Sequence, residues 1–245
     1  MEIGACSHIG KIREVNEDAF YIEQDHQRLF IVADGMGGHN AGEIASSTAI
    51  ESIVEYIRNN WDDLDSAGDG KIYEMLKAAI LNANHKILER SIHDTKCQGM
   101  GTTLTLAFVL SKIYIGHVGD SRAYIISKEK ITQITQDHSL VAELVRNGSI
   151  TEKEAKSHPQ RNIITRALGT DVNTMIDIYS TPFTQGDIVL LCTDGLTNLV
   201  EPIEILECMI HSRNIQQGCE HLVELANERG GNDNITVLAI KNIEE

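Results

Sequence analysis

The sequence Leu104-Thr-Leu-Ala-Phe-Val-Leu110 is followed by Ser111 and then by Lys112-Ile-Tyr-Ile-Gly-His-Val118. Both halves are rich in residues that favour β-strands, and only Ser111 separates them. This spacing predicts a β-hairpin. A hairpin pairs its strands antiparallel, so we expect a sheet that is at least partly antiparallel.

Further strands and helices are predicted on both sides of this hairpin. Runs rich in Ile, Val and Thr predict strands at 29–33, 122–126, 175–179, 188–192 and 235–240. Helical spacing of apolar residues predicts amphipathic helices across 50–57, 72–87 and 217–228. Because the strands come mainly as hairpins and do not alternate with helices, the pattern favours an α+β layered sandwich over a doubly wound sheet.

The chain of 245 residues shows no linker, no low-complexity tract and no repeat of fixed period, so we expect one domain over 1–245. The pattern weakens only between 138 and 168. There a short helix is expected to end at Asn147 and Gly148, and Thr151 with Glu154 has capping-box spacing for a second one. We expect a small surface subdomain in this segment.

Composition excludes several classes of protein. With 42% hydrophobic and 23% charged residues the chain is expected to fold rather than to be disordered. Its net charge of −15 repels a nucleic-acid backbone and an anionic membrane surface. The five cysteines include no CxxC pair, and no run approaches the ~18 apolar residues of a membrane span. We expect a cytoplasmic protein that does not insert into membranes.

Four aspartates share an unusual setting: Asp34, Asp120, Asp194 and Asp233 each lie near glycine at the end of a predicted strand. Alone, each would be an ordinary turn residue. Together, carboxylates at adjacent strand ends repel each other unless they are protonated or share a cation. Oxygen donors select hard ions such as Mg²⁺ or Mn²⁺. A carboxylate that bridges two such ions, roughly 3.5–4 Å apart, is typical of a two-metal hydrolytic site.

The segment Arg13-Glu-Val-Asn-Glu17-Asp18 places one basic residue among acids just before a strand. The planar fork of Arg13 can bind two oxygens of a phosphate, although an ion pair at the surface is the simpler interpretation. Glu17 and Asp18 are either solvated surface acids or residues that hold a metal-bound water.

A glycine-rich turn spans 34–43 and reads DGMGGHNAGE. It lacks the order of glycines found in nucleotide-binding fingerprints. His39 in this turn could protonate a leaving oxygen, because histidine has an ordinary pKa near neutrality. Ten histidines occur in the chain and most of them are expected to be bystanders, so that is the simpler interpretation of His39 taken alone.

These residues resemble the metal-dependent type 2C Ser/Thr protein phosphatases in their compact bacterial form. The resemblance covers essentially the whole chain in eight ordered blocks. They are RxxNED at 13–18, DGMGGHxxGE at 34–43, GTT at 101–103, VGDSR at 118–122, DHS at 137–139, TRALG at 165–169, TDGL at 193–196 and GGxDNIT at 230–236.

The resemblance implies two antiparallel sheets between two helix layers, with a binuclear Mn²⁺ or Mg²⁺ centre at one edge. By motif, Asp34 resembles the bridging ligand and Gly35 the residue that offers its backbone carbonyl. Asp194 and Asp233 resemble the ligands that complete the first ion. Asp120 with Asp194 resembles the pair that holds a third, weaker ion.

The other roles follow from the same resemblance. Arg13 resembles the phosphate clamp, His39 the proposed general acid, and Asp18 and Glu17 residues that act through water. The segment 138–168 resembles the mobile flap beside the site. The implied reaction is in-line attack on phosphorus by a water that bridges the two ions, without a phosphoenzyme.

The expected function is therefore hydrolysis of phosphoserine and phosphothreonine on proteins by a monomer, with a membrane-anchored Ser/Thr kinase as the expected partner. A hydrolase of small phosphoesters would share the metals and differ only in the pocket. A non-catalytic phosphopeptide-binding module is a second alternative, but such modules cluster several basic residues.

Overall fold

Two antiparallel sheets form the centre of the computed structural model, which describes residues 1–26, 28–37, 41–60 and 67–243. The first sheet has the strand order β1-β11-β10-β7-β8, and the second has β2-β3-β5-β6-β9 with β4 paired to β3. The strands are β1 Glu2–His8, β2 Asp18–Ile22, β3 Leu29–Met36, β4 Gly101–Thr102, β5 Leu104–Val109, β6 Ile113–Val118, β7 Arg122–Ser127, β8 Lys130–Gln133, β9 Asp177–Thr181, β10 Ile188–Cys192 and β11 Ile235–Lys241.

Helices cover the outer face of each sheet. The long helices α1 (Ala41–Asn59) and α2 (Asp69–His93) pack together and cover the second sheet. The helices α6 (Pro202–His211) and α7 (Ile215–Glu228) cover the first sheet. Three short helices complete the described residues, namely α3 Leu140–Arg146, α4 Glu152–Lys156 and α5 Asp194–Thr197, together with a 3₁₀ turn at Thr95–Cys97.

Three apolar clusters hold these layers together. One lies between the sheets and includes Phe30 and Leu238. A second joins the second sheet to α1 and α2 around Ile53 and Leu76, and a third joins the first sheet to α6 and α7 around Leu222. Each fully buried side chain of this size stabilises the fold by about 1.5–3 kcal/mol. The predicted four-layer α-β-β-α arrangement of an α+β protein is confirmed.

The predicted hairpin is confirmed, because β5 pairs antiparallel with β6 and Val109 lies opposite Ile113. The capping box at Thr151 and Glu154 is present at the start of α4. Two details were wrong. Met175 is 63% exposed and precedes β9, and β3 continues past Asp34 because its last two residues pair with β4.

Candidate metal centre

The ends of strands from both sheets bring five aspartates together. Asp34 lies near the end of β3 and is paired in register with Asp18, the first residue of β2. Asp120 follows β6, Asp194 begins α5 directly after β10, and Asp233 precedes β11. Burial, and then the charges of Asp18, Asp194, Asp120 and Asp233, raise the pKa of Asp34 well above its ordinary value. The predicted cluster of strand-end carboxylates therefore forms.

Backbone contacts fix Asp34 in this cluster. Its amide N–H donates to Thr103 Oγ1 over 3.0 Å, and its carbonyl accepts from the Thr103 amide and from Thr102 Oγ1, both at 2.9 Å. The main chain of Asp34 is therefore held on both sides. Burial, and then the charge of Asp233, raise the pKa of the neighbouring Asp194 carboxyl as well.

Asp18 is almost completely buried and is held by two hydroxyl groups. Its Oδ2 accepts hydrogen bonds from Thr193 Oγ1 at 2.9 Å and from Thr236 Oγ1 at 2.7 Å. These bonds lower its pKa, but burial outweighs them, and repulsion from neighbouring carboxylates adds to the burial effect. The pKa of Asp18 is raised to about 7.

Three buried carboxylate oxygens at the site lack a hydrogen-bond partner among the described residues: Oδ1 of Asp18, of Asp120 and of Asp194. Burial, followed by repulsion from Asp194, also raises the pKa of Asp120 to about 8. A buried anionic oxygen without a partner is costly unless a proton or a cation satisfies it. All the donors are oxygens, so the site fits a hard divalent cation.

The described part of the chain contains no group of three His, Cys, Asp or Glu side chains that encloses an ion by itself. A cation here would therefore draw its remaining ligands from main-chain carbonyl groups and water. Both oxygens of Asp233 already accept hydrogen bonds, so Asp233 would have to exchange one of these partners to bind a cation. Oδ2 accepts from Arg13 Nη2 at 2.9 Å, and Oδ1 accepts from the Asn234 amide at 2.9 Å.

Arg13 lies at the edge of the cluster with its side chain half exposed. In the structure Arg13 forms an ion pair with Asp233, which is the simpler of the two roles that the sequence allowed for it; the other is phosphate binding. Binding of a phosphate by Arg13 would require the guanidinium group to leave Asp233.

Glu17 connects this edge to β3 and α1 through its main chain. Its carbonyl accepts from the Gly35 amide at 3.2 Å and from Ser46 Oγ at 2.7 Å. Its side chain is partly buried, and burial raises its pKa. Because its side chain is partly buried, Glu17 is not a fully solvated surface acid.

Known proteins are similar to this chain in sequence and in fold. The sequence pattern of "Protein phosphatase 2C" matches residues 7–229. The chain belongs to the protein phosphatase 2C family. The serine/threonine phosphatase stp of Listeria monocytogenes serotype 4b (strain F2365) is 39% identical over 236 residues, which cover 95% of this chain and 92% of the relative. The predicted membership is confirmed.

Solved structures agree. The serine/threonine phosphatase PstP/Ppp of Mycobacterium tuberculosis has a TM-score of 0.89 at 37% identity and covers 99% of this chain and 98% of its own. The catalytic domain of the phosphatase PstP in complex with two manganese ions has a TM-score of 0.84 at 35% identity, with coverage of 99% and 98%. The chain is thus a metal-dependent Ser/Thr protein phosphatase, as predicted.

Close backbone approaches require glycine at two positions of this phosphatase site. A Cβ added to Gly35 would lie 2.1 Å from the Gly42 carbonyl oxygen. A Cβ added to Gly195 would lie 1.9 Å from the Asn234 carbonyl oxygen. Any side chain at either position would push apart the main-chain segments that carry Asp34 and Asp194.

Several residues that support the phosphatase site had no role in the sequence analysis. Asn234 accepts from the Glu17 amide and donates to the carbonyls of Ile9 and Val15, so it joins the loop that carries Arg13 to β11. The other such residues are Thr102, Thr103, Thr193, Thr236 and Asn198, which donates to Asp194 Oδ2 at 3.0 Å. Apart from Asn198 these residues lie in the motif blocks, and only that position could have pointed to them.

Two residues near the site remain. His39 lies outside the described residues, so its predicted role stays a prediction. Cys192, two residues before Asp194, is fully buried, and burial raises its pKa to about 12. A thiol with that pKa is not a nucleophile at neutral pH.

Proposed function

We propose that this phosphatase hydrolyses phosphoserine and phosphothreonine in proteins at the strand-end carboxylate cluster. Asp34, the carbonyl of Gly35, Asp194 and Asp233 would hold two divalent cations, Mn²⁺ or Mg²⁺, and Asp120 with Asp194 a third and weaker one. The observation that carries this proposal is the set of buried carboxylate oxygens that lack partners in the described structure.

The cations, when bound, would lower the pKa of water and neutralise charge on the phosphate. The chain's own residues supply the rest. Thr102 and Thr103 fix the main chain of Asp34, so its carboxylate is held in place before substrate arrives. Oδ1 of Asp18, which has no partner in the part of the chain that the structure describes, can accept a hydrogen bond from a water molecule, while two threonine hydroxyls orient the carboxylate. Glu17 would act in the same way.

Arg13 would bind the phosphate. Its guanidinium group is accessible and is held by one carboxylate. A phosphate that replaces this partner gains two parallel charge-assisted hydrogen bonds, which orient its equatorial oxygens and compensate charge as the transition state forms. His39 would donate the proton to the leaving oxygen.

The surroundings of the site support further proposals. Residues 138–168 would form a flap that influences access, and they carry α3 and α4. The resemblance to the compact bacterial branch supports a cytoplasmic monomer that acts on phosphorylated proteins, including a membrane-anchored Ser/Thr kinase. None of the described helices is long and apolar enough to cross a bilayer.

The direct test compares substrates. We expect Mn²⁺-dependent release of phosphate from a phosphothreonine peptide to exceed release from a phosphotyrosine peptide and from p-nitrophenyl phosphate in kcat/KM. Chelator and the Asp34→Ala substitution should abolish it, whereas Glu51→Ala, on the exposed face of α1, should not. Preference for the small phosphoester would favour the alternative hydrolase, and turnover by Asp34→Ala would contradict the site.

A further inference from the structure

His138 contacts the turn that carries Asp120 at two points. Its ring Nδ1 accepts a hydrogen bond from the Gly119 amide at 3.1 Å, and its own amide donates to the Gly119 carbonyl at 2.8 Å. Both polar groups of Gly119 are thus held by one residue, which is only 2% exposed. Gly119 itself has φ +114 and packs against Thr103, so the turn has little room to move.

The hydrogen bonds define the tautomer of this ring. Because Nδ1 accepts from an amide, the proton of the neutral ring lies on Nε2, which donates to Asp177 Oδ2 at 3.1 Å. Arg166 Nη1, which bonds to the other carboxylate oxygen of Asp177, also lies 3.1 Å from Nε2. Asp177 is fixed in turn by the Tyr179 hydroxyl at 3.0 Å and by Arg166 Nη1 at 3.3 Å. Asp177 therefore orients the imidazole through Nε2, and Nδ1 on the opposite side of the ring bonds to the Gly119 amide.

The same residue closes the base of the segment 138–168. The His138 carbonyl accepts from the Thr165 amide at 2.8 Å, and Ser139 forms an isolated β-bridge with Ile164. Further along, Leu168 exchanges two main-chain hydrogen bonds with Thr102, whose hydroxyl donates to the Asp34 carbonyl. His138 thus lies where this segment meets the turn that carries Asp120.

We propose that His138 is a positioning residue that holds the Gly119–Asp120 turn and thereby sets the affinity of the cation site formed by Asp120 and Asp194. The inference rests on the proposed role of Asp120. Partners beyond the direct ligands commonly change metal affinity by about 10–100-fold, and we expect a loss of roughly tenfold or more here.

Two substitutions separate the two ends of the ring. In His138→Asn the side-chain Oδ1 lies near the position of Nδ1 and can accept from Gly119, but nothing reaches Asp177. In His138→Gln the amide group lies near the position of Nε2 and can donate to Asp177, but the acceptor for Gly119 is lost. His117→Gln is the control for packing, because the ring of this second buried histidine lies 4.8 Å from that of His138 but bonds to Thr105 and Gln136 and not to Gly119.

The experiment is a Mn²⁺ titration of the full chain by calorimetry and by the electron paramagnetic resonance of free Mn²⁺, with thermal unfolding of each variant. We expect His138→Gln and His138→Ala to weaken only the weaker Mn²⁺ site by roughly tenfold or more. His138→Asn should recover most of that affinity, and His117→Gln should leave it unchanged.

Equal Mn²⁺ affinity of the weaker site in the parent chain and in His138→Gln would overturn the inference. Equal losses of Mn²⁺ affinity in the Asn and Gln variants would also overturn it, because they indicate a packing role alone. Asp120→Asn separates this failure from failure of the proposed function. If Asp120→Asn also leaves the weaker site intact, the assignment of that site is wrong. If only Asp120→Asn removes it, His138 has no positioning role.

Discussion

Replacement of Asp18 by Asn should make the cation-free phosphatase more stable. Asp18 is buried beside other carboxylates, and its Oδ1 has no partner among the described residues. An Asn side chain keeps an oxygen for the hydroxyls of Thr193 and Thr236. Its NH₂ group would take the position of the unpartnered oxygen and could donate to neighbouring carboxylates. The substitution therefore removes a buried charge and keeps the existing hydrogen bonds.

The expected magnitude follows from the pKa of Asp18, which is raised from 3.8 to about 7. Because the folded state holds this proton more tightly than the unfolded chain, ionisation of Asp18 costs more stability as pH rises from about 4 to about 7, and the cost levels off above that pH. The cost is about 2 kcal/mol at pH 5 and about 4 kcal/mol at pH 8. The gain from Asp18→Asn should show the same increase with pH.

The assay is urea unfolding in the presence of chelator at pH 5 and at pH 8, with circular dichroism as the measure of the folded fraction. Asp94→Asn is the control of opposite sign, because the hydrogen bond that the Lys96 amide donates to its carboxylate lowers the pKa of Asp94, which is partly exposed. Saturating Mn²⁺ should stabilise the parent chain more than the Asp18→Asn variant. If the variant in chelator is no more stable than the parent at pH 8, the argument from buried repulsion is refuted.

Three other substitutions test separate parts of the site. Arg13→Ala should lower kcat/KM for a phosphothreonine peptide by roughly 10–100-fold, mainly through KM, because hydrogen bonds to charged groups contribute about 1.5–3 kcal/mol; an unchanged KM would argue against phosphate binding. Gly195→Ala should cost about 1–3 kcal/mol in urea unfolding because its Cβ would meet the Asn234 carbonyl. Gly68→Ala, with open space around it, should change little, and equal effects would contradict the packing argument. Thr103→Val should cost about 1–3 kcal/mol by leaving the Asp34 amide without its acceptor, and a neutral result in thermal unfolding would count against that contact.

The buried strands could be predicted from the sequence, and the edge strand β9 was predicted two residues too early, whereas the edge strands β1, β2 and β8 could not be predicted. The runs that form β3, β10 and β11 are apolar on both faces because helices and the opposite sheet cover them. The edge strand β1 is half exposed and contains Gly4, which is needed because a Cβ there would lie 2.6 Å from the α7 backbone. The edge strand β2 has only five residues. Such strands lack a clear apolar pattern.

The residues of the site also fall into those that the sequence could predict and those that it could not. Aspartates beside glycine at strand ends form a local pattern, so the cluster around Asp34 could be predicted. The support of Asp18 by Thr193 and Thr236 could not, because threonine is common in strands and only tertiary packing places both hydroxyls on one carboxylate. The role of Asn234 depends in the same manner on contacts with residues more than 200 positions away.

The strand-end carboxylates are proposed to form a binding site for divalent cations. Crystals of the full chain grown with Mn²⁺ and measured at the manganese absorption edge test it directly. We expect strong anomalous peaks among Asp34, Asp194 and Asp233, and a weaker one beside Asp120 that disappears in Asp120→Asn. Absence of anomalous density among these residues, or strong peaks only elsewhere on the molecule, would contradict it.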